Sequence, residues 1–349
     1  MKKLFKISIV LLLAATMFGC SSDASKQLKV YSWGVYIDPE VITAFENEYD
    51  VEVIYDTFES NEQMYTKLMG GESYDVLVPS DYMIERLIAE DQLQEVDLSM
   101  ITNFSGLIEG VTNLSYDPGN KYSVPYFWGT VGLLYNHTNV DETVLQQQGW
   151  SILANQDYKG RIFIYDSERD AFMVALKALG YSMNTADQIE IDAAAEWLTN
   201  VDDTMEPVYV TDDSIDAMIA GNKDIAVMYS GDAAYIMTEN EDMSFFMPEE
   251  GTNLWVDAMV IPKDSENVEL AHAWINYMLD PEVAAVNSSY VGYTSPVKLV
   301  YDMMSGVGGE YEGVEAYIPR LGYEKDETFN NNDEIRKVIA DLWTRIKSN

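Results

Sequence analysis

The chain has 349 residues, 47% hydrophobic and 12% aromatic, with 59 acidic side chains against 21 Lys and Arg and a net charge of −38. That apolar content excludes a disordered acidic tail and calls for a packed core. The negative field repels nucleic acid and anionic lipid and attracts cations, although solubility alone accounts for a charge of this sign.

Lys2, Lys3 and Lys6 precede an apolar run, 7–18, of signal-peptide length and too short to span a bilayer as a stable helix. The run ends at Gly19-Cys20, followed by Ser21, Ser22 and Asp23. This junction resembles the lipobox of bacterial lipoproteins, which implies diacylation of Cys20 and removal of residues 1–19. A chance cysteine in an ordinary secretory peptide is the alternative, but Cys20 is the chain's single cysteine. Two or more acyl chains hold a protein on a membrane stably where one does not. Losing residues 1–19 removes three lysines and no acid, taking the charge from −38 to −41. The remaining 330 residues normally divide into two domains. With no cysteine pair there is no disulfide framework, so the core must supply the stability.

Residues 20–26 read as a polar tether. Strand and helix signals then alternate. Segments 28–31, 51–55 and 76–79 are β-branched or aromatic and predict strands. Between them 39–49 and 61–69 predict helices, the first with Asp38 as N-cap and Pro39 in the first turn. A helix over 82–90 follows. The rhythm returns with strands at 131–135, 161–165 and 225–229 and helices at 171–179, 188–200 and 214–220. A strand at 255–262 precedes helices at 268–279 and 281–289. Last, 334–347 places Ile335, Val338, Ile339, Leu342 and Ile346 on one helical face. Such alternation specifies an α/β architecture with mostly parallel sheets.

Catalytic constellations are missing from this pattern. The two histidines, His137 and His272, form no metal-type pair, and His272 between Ala271 and Ala273 reads as structural. No nucleophile elbow, Walker A loop or dinucleotide fingerprint occurs. Calcium-loop spacing is absent, and Asp202-Asp203 and Asp212-Asp213 read as caps or solvated turns. Paired carboxylates are the chemistry of glycoside hydrolysis, but among 59 acids some pair always fits, so that signal carries little.

Aromatic and acidic residues do recur together where strands end. Trp33 and Tyr36 follow the first strand, and Ser80-Asp81-Tyr82 follows the third. Asp170 lies beyond the 161–165 strand, Tyr229 and Asp232 close the 225–229 strand, and Trp255 and Asp257 open the next. In open α/β sheets ligands bind outside the carboxyl ends of the strands. Indoles, phenols and carboxylates in one cleft suit a flexible polycation: aromatic faces pack on methylenes and attract ammonium groups, and carboxylates pair with them. An anion site would favour arginine and helix N-termini, and the chain has only six arginines.

The segments YSWGVYI (31–37), YDTFESNEQMYTKL (55–68), YDVLVPSDYMIERL (74–87), YSVPYFWGT (122–130), DSERDAFMVALKALGYS (166–182), MYSGDAAY (228–235), LWVDAMVIP (254–262) and VGYTSP (291–296) resemble the spermidine/putrescine-binding proteins of polyamine ABC transporters. The resemblance runs from about Leu28 to the C-terminus. It implies a type II periplasmic binding protein, with two α/β lobes and a hinge flanking a ligand cleft. Lobe one would be 27–131 with 256–300, and lobe two 132–255 with 301–349. It further implies a monomer without cofactor or metal that hands a polyamine to ABC permease subunits. Carried over position by position, Trp33, Tyr36, Ser80, Tyr82, Asp170, Tyr229, Asp232, Trp255, Asp257 and Tyr293 would line the site. Val35 and Ser167 stand where the family carries acids, and a family glutamine is replaced near Phe329 or Asn330. The choice between diamine and triamine therefore stays open, with Asp81 or Glu168 as possible substitutes.

Each site residue also has a plainer role. Trp33, Tyr229 and Trp255 fit as core aromatics. Asp170 and Asp232 fit as helix N-caps, and Ser80 as part of a polar turn. Asp257, inside an apolar strand, is costly without a cation or donors. Binding of a sugar, an amino compound or a chelated metal in the same fold is the second reading, and a lipid-anchored hydrolase the third.

Overall fold

The computed structural model describes residues 26–211 and 214–348. The expected leader, Cys20 and Asp212-Asp213 lie outside the described residues, and Lys26, expected to end the tether, opens the first strand.

Three strands, β1 (Lys26–Trp33), β2 (Val51–Phe58) and β3 (Val76–Leu77), run parallel with β1 in the middle. Helices α1 (Pro39–Tyr49) and α2 (Asn61–Met69) connect them, and α3 (Asp81–Ala89) follows. As the sequence predicts, Pro39 opens α1 and the Asp38 carboxylate accepts from Glu40 N at 2.8 Å. Ser60 caps α2 in the same way. A second parallel trio is β5 (Ile162–Tyr165), β6 (Val208–Val210) and β7 (Ile225–Tyr229), with β5 central. Around it lie α4 (Glu142–Gln148), α5 (Glu168–Ala178), α6 (Gln188–Met205), α7 (Ser214–Ile219) and α8 (Ser230–Glu239).

The trios are joined by two long strands. In β4 (Ser123–Asn136), the stretch 123–130 runs antiparallel to β9 (Leu254–Val260), and 131–136 runs antiparallel to β7 and to β8 (Met243–Phe246). The strand order is β2-β1-β3-β9-β4-β7-β5-β6, with β8 also on β4. The sheet is thus mixed rather than mostly parallel: each βαβ trio is parallel, and the junction is antiparallel throughout. β4 starts eight residues before the expected 131 because Pro125 and Gly129 read as breakers. Pro125 is accommodated at a bulge where the β4–β9 register shifts between Pro125 and Phe127.

The later helices are α9 (Val268–Met278), α10 (Pro281–Val291), α11 (Lys298–Ser305) and α12 (Asp333–Ile346). α12 buries Ile339, Trp343 and Ile346 against Phe172, Leu176 and Leu198 of α5 and α6, on the face its periodicity predicts. Buried Lys177 of α5 pairs with Glu327, and its ammonium also donates to Lys325 O at 2.6 Å, pinning the segment that leads to α12. His272 is structural as expected: its Nε2 accepts from Asp97 N at 2.9 Å and its Nδ1 lies 2.7 Å from Val268 O. Asp202 and Asp203 are not caps or turns but lie within α6, where Asp202 accepts from Tyr209 Oη.

Candidate functional site

Four parallel strands deliver their carboxyl ends to the junction. Trp33 ends β1, and Tyr36 lies three residues on. Ser80 follows β3, Asp170 sits in the first turn of α5 after β5, and Tyr229 ends β7. β9 contributes Trp255 and Asp257, two residues apart and so on one face of the strand. Tyr293 follows α10.

These side chains meet. The Tyr36 hydroxyl donates to Asp257 Oδ2 at 2.6 Å. The Tyr293 ring lies 5.8 Å from Tyr36 and 5.1 Å from Trp255, edge to face in both cases. Tyr229 stands edge-on to Trp255 at 6.2 Å and donates to Asp170 Oδ2 at 2.7 Å. Trp33 flanks Tyr36 at 6.5 Å. The Tyr293 hydroxyl reaches Asp232 Oδ1 at 3.4 Å. A continuous aromatic wall thus runs from Trp33 to Tyr229, with a buried carboxylate near each end.

Small residues make that wall possible. A Cβ on Gly231 would fall 1.6 Å from the Tyr293 ring, and one on Gly129 would fall 2.5 Å from the Trp255 indole. Only glycine lets the two backbones approach these rings so closely. On the other side, Tyr126 donates to the Tyr36 carbonyl at 2.8 Å, fixing the loop after β1.

Ser80 and Tyr82 form an adjoining group. Ser80 bridges to Asp257 in antiparallel register. Asn61 Nδ2 donates to both the Ser80 and Tyr82 hydroxyls at 3.0 Å, and its Oδ1 accepts from Ser80 N. The Tyr82 ring does not join the wall; it carries the Arg169 guanidinium at 3.8 Å, with Phe329 5.7 Å from the same cation. Beyond Arg169 lies a cavity of about 250 Å³, lined in part by Glu85, Phe172, Phe329, Asn330 and Arg336. Asn61 and Tyr126 were not among the expected site residues, although both lie inside the quoted motifs; an Asn directly after the Ser60 cap of a predicted helix carries no signal of its burial.

Burial sets the electrostatics. It pushes the Asp257 carboxyl up to about 6 against the opposing effect of the Tyr36 and Ser80 hydroxyls. Asp170 is raised by burial too, opposed by Tyr229 and Ser167. Tyr36 and Tyr229 are held well above the ordinary phenol value by burial and by their carboxylate partners. Among the described residues, no Lys or Arg forms an ion pair with Asp170 or Asp257. Asp170 Oδ1 and the indole nitrogens of Trp33 and Trp255 have no hydrogen-bond partner in the protein. Acceptors and π-faces therefore outnumber cations, the arrangement an organic cation would complete. The capping role weighed for Asp170 and Asp232 does not hold: Ser167 caps α5 by accepting from Asp170 N, and Tyr229 stands at the cap position of α8.

Residues 71–305 match the family model "Bacterial extracellular solute-binding protein", and residues 1–105 match "Hypothetical lipoprotein (MG045 family)". The chain is 34% identical to the spermidine/putrescine-binding periplasmic protein of Escherichia coli over 81% of each sequence. Among solved structures, it superposes on the spermidine/putrescine ABC transporter substrate-binding protein PotD from Streptococcus pneumoniae with a TM-score of 0.81. That pair is 37% identical, covering 93% of this chain and 99% of the other. The Tp0655 (TpPotD) lipoprotein of Treponema pallidum superposes with a TM-score of 0.77 at 28% identity, over 92% and 99%. The expected α/β binding-protein fold is the one observed, and the expectation of a binder rather than an enzyme agrees with these relatives. The chain belongs to the bacterial extracellular solute-binding proteins.

Proposed function

We propose that the chain is the capture subunit of an ABC importer for polyamines such as spermidine and putrescine. The observation that carries this reading is the buried Asp257 carboxylate, walled by Tyr36, Tyr293 and Trp255 and lacking a protein cation. An alkylammonium set there gains a charge-assisted bond to Asp257, and its methylenes pack along the indole and phenol faces toward Asp170. Burying such a pair is favourable only with additional hydrogen bonds, and the Tyr36 and Tyr229 hydroxyls are placed to supply them. The names of the relatives support the same ligand class.

In this reading the lobes are 27–131 with 256–300, and 132–255 with 301–349. The switch of β4 from β9 to β7 pairing at Thr130–Val131 supports that division. Ligand entry parts the lobes by bending at β4 and β9, breaking the Arg169–Tyr82 stack and the Asn331 N to Glu85 bond on the far rim. Cys20, diacylated, tethers the monomer to the outer face of the membrane near its permease; among the described residues no helix is long and apolar enough to cross a membrane. The mature charge steers dications toward the cleft.

A thermal-shift panel tests the ligand class. Putrescine, spermidine and spermine should each raise the melting midpoint in a concentration-dependent way. A shift with a sugar, an amino acid or a chelated metal, and none with any polyamine, would transfer the site to a different solute.

A further inference from the structure

Behind Asp257 lies a second carboxyl that the ligand contacts above do not use. Asp81 opens α3 directly after Ser80, the residue that bridges to Asp257. It is 1% exposed. Its Oδ1 accepts from Tyr82 N at 2.6 Å, whereas its Oδ2 has no hydrogen-bond partner in the protein. No Lys or Arg pairs with it among the described residues. The charged and titratable groups around it come from every neighbouring element. Asp257 on β9 repels its charge, and Arg169 on α5 attracts it. The buried phenol of Tyr116, before β4, feels both Asp81 and Asp257 as well as Asp117. Tyr82 lies on its own helix.

We propose that Asp81 is a second carboxyl of the ammonium site, protonated while the site is empty and ionised when a polycation arrives, so that ligand capture releases a proton. The case rests on the polyamine-capture reading and on geometry. Two carboxyls share one water-poor enclosure, one already satisfied by a phenol and the other with a bare oxygen. Two such groups do not both ionise without a counter-charge. Burial drives the Asp81 carboxyl up to about 8, with Asp257 adding to it and the backbone amides of Tyr82 on its own helix and Val256 on β9, together with Arg169, opposing. An incoming ammonium reverses the balance: the O–H bond of Asp81 breaks, its proton passes to solvent, and the carboxylate adds a second negative charge behind the ligand.

The sign follows from linkage. Below about pH 8 the empty protein holds the proton and the complex does not, so affinity rises with pH, by up to about tenfold per unit between roughly pH 7 and 8. Primary alkylammonium groups such as those of putrescine keep their charge over this range, and the Asp257 carboxyl lies lower, at about 6. The test is calorimetric titration of putrescine and spermidine near pH 7 in buffers of contrasting ionisation enthalpy, on the wild type and on Asp81→Asn. The expected result is release of most of one proton by the wild type, and a markedly smaller release by the variant. Equal release from both proteins, or none from the wild type, overturns the proposal. If the variant does not fold, the wild-type affinity profile decides, and a flat profile from pH 7 to 8 overturns it. Absence of heat with every polyamine at every pH would instead sink the capture reading itself.

Discussion

Exchanging Asp257 for Asn separates what the site does for the ligand from what it does to the fold. Burial moves this carboxyl from an ordinary 3.8 to about 6, and two units correspond to about 3 kcal/mol. The folded protein holds the proton more tightly than the unfolded chain. Its contribution to stability is therefore full below the unfolded value and is lost as pH rises through about 6. At neutral pH that loss is complete, and an amide that never ionises removes it. Empty Asp257→Asn should thus be more stable at pH 7 by up to about 3 kcal/mol, with Tyr36 still donating to the amide oxygen. The same change denies an ammonium its charged acceptor, which costs about 1.5–3 kcal/mol of binding, or roughly 10- to 100-fold in affinity. Thermal melting of the empty protein and calorimetric titration of putrescine, done on one preparation, read both effects. A variant that melts lower and binds as tightly as the wild type would refute the reasoning at both steps.

Other consequences are open to direct measurement. Trp255→Ala removes the central face of the wall and leaves a hole between Gly129 and Tyr293, so polyamine affinity should fall by about 1 kcal/mol or more and stability by about 3–5 kcal/mol in denaturant titration. Lys177→Met removes the cation from the Glu327 carboxylate, which burial pushes up but Lys177 and Ser182 together hold below the usual range; with Ser182 and Asn184 still donating, the expected loss is about 1–3 kcal/mol of unfolding free energy, with ligand contacts untouched. Cys20→Ser should shift the protein from the membrane fraction to the medium or periplasm on fractionation, because without the thiol no acyl chains can be attached.

The order of α/β elements was legible because period-2 and period-3.6 patterns survive wherever one face is buried. Pro39, Asp38 and the stripe on α12 are cases in point. The antiparallel junction was not legible. β4 is buried along its whole length, so it shows no alternation, and Pro125 and Gly129 interrupt it. Both irregularities belong to the site: the first opens the bulge that ends at Phe127, the partner of Asp257, and the second makes room for Trp255. The strand-end aromatics and acids were found in the sequence because parallel strands present their carboxyl ends together. Which acids pair with which phenols was beyond it. The Tyr36–Asp257 contact joins residues 221 positions apart, and Asp81, named only as a substitute acid, is buried directly after Ser80, the residue that bridges to Asp257.

Titrating the purified protein with putrescine and spermidine in a calorimeter puts the greatest strain on the idea that Asp257 and its aromatic surround were built for an organic polycation. Saturable one-to-one heat with at least one of the two amines, weakened in Asp257→Asn, is the predicted outcome. A folded protein that gives no saturable heat with either amine, or that binds both equally well without the carboxylate, contradicts it.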